Sequence, residues 1–270
     1  SNDTVIVIYG SPDLPGNLLD MDQPAGTYGE TRIHGGVLYG HIGWSIAAGD
    51  INGDGIDDLL LGNKEAKFLS LYSDEGEVYA LFGRTDLHQT ASIYFSQPAG
   101  TWGEFRVRGE PDDLLGSKVA VADVNGDSYG DMLIAGAGKV FIYFGGTGVE
   151  GQSWGTGDAP GSHGETQIEM GTEVYMAGSD INGDGIDDLL MGQGVWNNFK
   201  GRALILYGGR DLPGQVLDSA AFLAEVDVIV EGKTQSTVGM QLGIEVVSGS
   251  DLDRNGRGEI LMSAKGASNP

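Results

Sequence analysis

The chain has 270 residues, 47 of them glycine and none cysteine, with 39 acidic against 15 basic side chains and a formal charge of −24. The missing cysteine excludes disulfide staples and thiol chemistry, and the strong negative charge argues against nucleic acid or an anionic membrane surface as partner. No apolar run is long enough to span a bilayer and no signal peptide leads the chain, so a mature or excised soluble segment is expected.

Abundant glycine, few prolines and no sustained helical period point to many short strands joined by tight turns, an all-β fold. In chain order, residues 4–9 read as an apolar strand ended by Gly10, followed by the phrase Asp13-Leu14-Pro15-Gly16. Next come Gln23-Pro24-Ala25-Gly26-Thr27-Tyr28-Gly29-Glu30 and a polar strand over 30–34. Residues 44–48 then form an inner strand, which places Trp44 in the core, and lead into Asp50-Ile51-Asn52-Gly53-Asp54-Gly55-Ile56-Asp57-Asp58. A short apolar run leaves that loop, and Glu77–Phe82 form a strand closed by Gly83. The series then repeats. The aromatic-Gly strand returns at Lys139–Gly145 and Arg202–Gly208, and the polar strand at 104–108, 165–169 and 227–231. Asp-Leu-Pro-Gly returns at 211–214, and the Pro-Ala-Gly phrase returns at 97–104 and loosely at 160–165.

The acidic loop is the most informative phrase, because Asp50–Leu60 recurs letter for letter at Asp180–Leu190. Oxygen donors at alternate positions suit a hard cation that takes roughly 6–8 oxygen ligands, as Ca²⁺ does. In the first loop Asp50, Asn52 and Asp54 offer side chains, Ile56 its carbonyl and Asp58 a closing carboxylate, with Gly55 allowing the sharp turn. The same spacing selects Asp123, Asn125, Asp127, Tyr129 and Asp131, then Asp180, Asn182, Asp184, Ile186 and Asp188, and finally Asp251, Asp253, Asn255, Arg257 and Glu259, where Tyr129, Ile186 and Arg257 contribute carbonyls. An EF-hand is excluded: it needs a bidentate Glu at the twelfth position, where this chain has Leu61, Ile134, Met191 and Met262. A metal-free Asp-Gly hairpin turn competes for any single loop, but four in register favour about four Ca²⁺ sites. The loops hold 14 of the 39 acidic residues. Loops of weak to moderate affinity stay filled only where calcium is plentiful, so an extracellular or cell-surface location is expected.

The loops begin at 50, 123, 180 and 251, and each unit reads as four strands, the arrangement of a β-propeller blade. A single domain over 1–270 is expected, with blade portions of about 1–36 together with 233–270, 37–109, 110–170 and 171–232. The termini would complete one blade of a four-bladed ring, or the chain would be part of a larger ring.

The Gly-His-Ile-Gly-Trp-Ser run at 40–45, the Asp-x-Asn-x-Asp-Gly-x-x-Asp loop, the following glycine turn and the aromatic-Gly strand resemble the FG-GAP repeats of integrin α-subunit propellers and their bacterial relatives. That resemblance implies loops that bind Ca²⁺ on one face of a usually seven-bladed ring, with ligands or partner subunits approaching the other face. The chain departs from the pattern in having four repeats and in replacing Gly-Ala-Pro by Gly-Asn-Lys at 62–64 and by equally altered triplets in the other repeats.

No catalytic residue is expected. His34, His41, His88 and His163 stand in unrelated contexts, and the loop carboxylates are better used as ligands. Tyr28, Trp102 and His163 occupy equivalent places in three blades, as candidate ligand-binding residues or as plugs in the seams between blades. The function expected is a calcium-stabilised binding or adhesion module for a protein or glycan ligand on the face opposite the metal loops, with association of a second copy open. A propeller enzyme acting on polysaccharide or lipid is the alternative.

Overall fold

A computed structural model of the chain describes residues 3–10, 19–36, 40–68, 73–209, 212, 214–235 and 238–265. The phrase at 13–16 lies outside them, as do Asp211 and Pro213 of its second copy.

The chain opens with β1 (Thr4–Val7) and β2 (Thr31–His34), which pair antiparallel. Three complete antiparallel sheets follow. The first orders β3 (Ser45–Gly49), β4 (Asp58–Asn63), β5 (Glu77–Leu81) and, beyond the short β6 (Ser92–Tyr94), β7 (Phe105–Arg108). The second contains β8 (Lys118–Ala122), β9 (Asp131–Gly136), β10 (Lys139–Tyr143) and, past β11 (Ser153–Gly155), β12 (Thr166–Glu169). The third contains β13 (Tyr175–Ser179), β14 (Asp188–Gln193), β15 (Arg202–Leu206) and, past β16 (Val216–Leu217), β17 (Val228–Glu231). A small hairpin of β18 (Thr234–Gln235) and β19 (Val238–Gly239) leads to the pair β20 (Leu242–Ser250) and β21 (Glu259–Ala264).

The registers repeat from sheet to sheet. Leu60 faces Ala80, Leu133 faces Ile142, and Leu190 faces Ile205, so the second and third strands of every sheet meet in the same way. Inner strands contact one another in the order β3, β8, β13 and β20. Apolar layers fill the gaps between sheets: Leu60, Val78 and Phe105 meet Val119, Met132 and Phe141 in one gap, and Leu133, Val140 and Ile168 meet Met176, Leu189 and Leu204 in the next. Sheets stacked side by side with their first strands innermost are the blades of a propeller.

Three short strands tie each outer strand to the following blade. β6 runs parallel to β2, β11 to β7 and β16 to β12, so the connection inside each blade adds a strand to the blade before it. Strands of two or three residues carry no readable period, and backbone pairing alone defines them.

The two end pairs stand as separate sheets. Among the described residues β1 bonds β2 alone and β21 bonds β20 alone, so the termini do not complete one blade in this structure. Trp44, expected on the inner strand and in the core, stands in the bend just before β3 and is 49% exposed, with Lys64 Nζ 3.5 Å above its ring.

A helix at Ser219–Glu225 has no counterpart in the sequence reading. The Asp218 side chain accepts the N–H groups of Ala220 and Ala221, and Phe222 anchors the helix in the core.

Candidate metal centres

All four acidic loops lie at the same end of the blades, between β3 and β4, β8 and β9, β13 and β14, and β20 and β21. In the first loop Asp50 Oδ1 accepts the N–H groups of Gly53 at 2.7 Å and Asp54 at 3.1 Å, and Oδ2 accepts that of Gly55 at 2.8 Å. Asn52 Oδ1 accepts the Asp54 N–H at 3.0 Å, and Asp54 Oδ1 the Ile56 N–H at 2.8 Å. The pattern recurs around Asp123 and Asp180, and around Asp251 with Asn255 and Gly256 as donors. Winding backbone around an aspartate in this way needs left-handed residues. Gly53 and Gly55 supply them at φ 77° and 85°, whereas Ser128 and Arg254 hold the corresponding conformation in the two degenerate loops, at a cost on the order of 1–2 kcal/mol each.

The closing acids sit deeper. Asp58, Asp131 and Asp188 are fully buried. One oxygen of each accepts the N–H of the second loop residue, Ile51, Val124 or Ile181, and the other that of the glycine ending the third strand, Gly83, Gly145 or Gly208. Conserving the aromatic-Gly phrase through the repeats thus has a structural use that sequence reading missed. Burial pushes the Asp58 carboxyl up to about 6 and Asp131 up to about 7, against the pull of those N–H groups, and it also raises Asp187 and Asp188. Neighbouring acids add to the rise, Asp54 for Asp58 and Asp127 and Asp123 for Asp131. In the fourth loop one oxygen each of Asp251, Asp253 and Glu259 lie within 4.8 Å of one another. Among the described residues only this loop brings three carboxylates so close, and such a group fits a hard divalent cation. Ionised carboxylates retain lone pairs after accepting these N–H bonds. The carbonyl-donor positions Ile56, Tyr129, Ile186 and Arg257 fall at the seventh place of each loop.

The loops also touch across blades. Gly130 N–H bonds the Asp50 carbonyl, Asp187 N–H the Asp123 carbonyl and Gly258 N–H the Asp180 carbonyl, so each loop leans on the next.

The other candidate residues have local partners. Tyr28 Oη accepts the Asp20 N–H, Trp102 donates its indole N–H to the Tyr94 carbonyl, and His163 stacks on Trp154 at 4.5 Å with Nε2 2.8 Å from Asp158. No ring contact joins the three to one another among the described residues. The turns that carry them are built on Glu30, Glu104 and Glu165, each buried and each accepting two N–H groups of its own turn, at Gly26 and Tyr28, Gly100 and Trp102, and Gly161 and His163. The remaining histidines are dispersed: His34 stacks on Tyr94, His41 lies between Asp3 and Glu65, and His88 packs edge-on to Tyr9.

At the end of the blades away from the acidic loops lie two open cavities. One of about 410 Å³ is lined by Lys64, Ser117, Thr172 and Glu173, and one of about 360 Å³ by Glu173, Tyr175, Gln241 and Lys265.

The family model for the FG-GAP repeat matches residues 42–81, which hold β3, the first acidic loop, β4 and β5. Integrin alpha-PS5 of Drosophila melanogaster is 30% identical over 167 residues, 59% of this chain and 16% of that protein. Integrin alpha-7 of Mus musculus is 28% identical over 186 residues, 65% of this chain and 14% of its own length. Phosphatidylinositol-glycan-specific phospholipase D of Bos taurus is 28% identical over 175 residues, 57% of this chain and 19% of that protein. The chain therefore spans less than a fifth of these relatives. The chain thus carries an FG-GAP repeat at 42–81 within stacked antiparallel sheets and is similar to integrin α chains over more than half of its length.

Proposed function

We propose that the protein is an extracellular adhesion module that binds a protein or glycan ligand and is held rigid by about four Ca²⁺ ions. The observation that carries this reading is the recurrence of one oxygen-donor loop at the same end of every inner hairpin. Calcium there would pin the hairpins and neutralise buried acids without touching the ligand. The relatives named as integrins favour adhesion, and the open cavities beside Lys64, Glu173 and Tyr175 support a ligand face at the opposite end.

A catalytic reading has one point in its favour, the likeness to a phospholipase D. Against it stand the four histidines, each occupied in a separate local contact. The test is binding to a panel of extracellular-matrix proteins and glycans in millimolar calcium, with Lys64→Glu and Glu173→Lys variants beside the native chain. Loss of binding by tenfold or more in the variants, with unchanged melting, is expected. Binding untouched by both substitutions, or turnover of a phospholipid or polysaccharide, would overturn the assignment.

A further inference from the structure

One face of the first complete blade carries a buried polar grid. Glu77 and Tyr79 stand two residues apart on β5, and Arg108 and Arg106 face them in register on β7, so all four side chains share that face. Tyr79 donates its hydroxyl to Glu77 Oε2, and Arg108 Nε donates to Glu77 Oε1 at 3.1 Å. Glu77 and Tyr79 are fully buried and Arg106 is 3% exposed, whereas about half of the Arg108 side chain reaches solvent. Tyr79 stacks on Phe95 at 4.2 Å, and the Arg106 guanidinium lies 5.3 Å from the Tyr79 ring. The grid opens into a cavity of about 370 Å³ whose other walls include Phe68, Ser96, Gln97 and Pro98. It lies at the end of β5 away from the acidic loops.

The fold does not ask for these residues. At the same register the second blade pairs Phe141 with Gln167 and the third pairs Leu204 with Ile229, so an apolar side chain on the third strand and no cation on the fourth are enough to build the sheet. Burying an arginine is costly unless its donors are used. Arg32, which holds the place of Arg106 in β2, uses Nε and Nη2 on its own turn and gives Nη1 to the Met21 carbonyl at 3.0 Å. Arg106 repeats the first contacts, at Glu104 and the Gln97 carbonyl, but its Nη1 has no partner among the described residues. Arg108 is bonded there through Nε alone, with its guanidinium 4.5 Å from the centre of the Phe68 ring. Both arginines line the one cavity and bring unused N–H groups to it.

We propose that this cavity binds an anionic sugar, whose singly charged carboxylate or sulfate takes the unused N–H groups of Arg106 and Arg108. Planar guanidinium forks suit oxyanions, which accept from them in pairs. The charge count selects a monoanion: Arg106 and Arg108 are already offset by Glu104 and Glu77, so no surplus positive charge is there to neutralise a phosphate dianion. The volume falls within the roughly 300–1,000 Å³ of small-ligand pockets. Its walls mix the apolar Phe68 and Pro98 with the polar Ser96 and Gln97, which suits the C–H faces and the hydroxyls of a sugar ring. The chain's charge of −24 opposes anions at long range but is screened beyond about 8 Å at physiological salt. The site is separate from the cavities at Glu173 and from the acidic loops, so it depends on neither the adhesion reading nor the metal reading.

Calorimetric titration at constant calcium with a uronic-acid disaccharide, a sulfated disaccharide and their neutral counterparts tests the site. One-to-one binding of an acidic sugar, at least tenfold tighter than its neutral counterpart, is expected, and the arm that binds more tightly identifies the anion. Arg108→Gln and Ala99→Trp should each weaken that binding at least tenfold while circular dichroism shows the fold intact. Ala99 is exposed on the cavity wall, so the second variant crowds the mouth and keeps both arginines. No binding of either acidic sugar, binding unchanged in either variant, neutral sugars bound as well, inorganic sulfate bound as tightly as the sugars, or an acidic peptide bound more tightly than both would each overturn the proposal. The adhesion reading is tested at Lys64 and Glu173 instead, so the two failures are distinguishable.

Discussion

The Asp50 carbonyl oxygen accepts the backbone N–H of Gly130 at 2.7 Å, joining the first residue of one acidic loop to the eighth residue of the next. The contact recurs between Asp123 and Asp187 and between Asp180 and Gly258, at 3.0 and 2.8 Å. The acidic loops are therefore part of the seams between blades as well as turns within them. Order imposed on one loop is passed to its neighbour through hydrogen-bonded backbone.

Gly130 tests that seam. A Cβ there would stand 2.6 Å from Val121 Cγ1 and 3.0 Å from the Asp50 carbonyl, with backbone on one side and packed core on the other. Gly130→Ala should cost about 1–3 kcal/mol, the usual price of overpacking, read by denaturant unfolding in calcium. Gly146→Ala, which meets nothing within 4 Å but has φ 137°, gives a backbone-only comparison.

The turns carrying the aromatic residues rest on their glutamates. Glu104 holds the Gly100 and Trp102 N–H groups and also the buried Arg106 guanidinium, while Glu165 holds two N–H groups and no arginine. Glu104→Ala leaves a buried cation unpaired and should cost about 3–5 kcal/mol. Glu165→Ala should cost about 1–3 kcal/mol, for unsatisfied N–H groups alone. Equal losses in chemical denaturation would mean that the arginine is not held by its carboxylate.

Glu30 gives a pH signature. Burial pushes its carboxyl up, but the N–H groups of Tyr28 and Gly26 and the Arg32 guanidinium outweigh burial and hold it below the ordinary 4.5. A lowered carboxyl pKa contributes stability that is fully present above the unfolded value and is lost as pH falls through the folded one. The advantage of the native chain over Glu30→Gln should therefore be constant above about pH 5 and narrow below about pH 4.5. Unfolding curves collected from pH 6 to pH 3 check it, and an advantage that widens in acid would contradict it.

Much of this was legible in the sequence, and the limits have physical causes. The third strands Glu77–Leu81, Lys139–Tyr143 and Arg202–Leu206 are apolar after their first residue and are followed by an aromatic residue and a glycine, so they could be read with nearly their observed bounds. The parallel strands β6, β11 and β16 could not, because their pairing lies in another blade. Trp44 was misplaced because the inner strand starts one residue later, at Ser45, and leaves Trp44 in a solvent-facing bend. Among the sites, alternating oxygen donors announced the loops, but the bond from Gly83 to Asp58 connects residues 25 positions apart and has no local signal.

Trp102 separates the two uses of the aromatic turns. Its ring packs against the cluster of Ile33, Leu81, Ile93 and Phe95, and it is half-buried. Trp102→Ala should lower stability by about 2–3 kcal/mol, somewhat less than a fully buried tryptophan, and leave ligand binding unchanged. Thermal melts paired with the binding panel report both, and lost binding with an unchanged melt would move the ligand to this turn.

The central claim, that the acidic loops are cation sites holding the blades in register, is tested most directly by native mass spectrometry of chelated protein titrated with calcium, with the melting temperature followed in parallel. The account predicts uptake of about four ions per chain, one for each loop, and a higher melting temperature as they bind. A chain that takes up no calcium at millimolar concentration, or that melts at the same temperature with and without it, would contradict it.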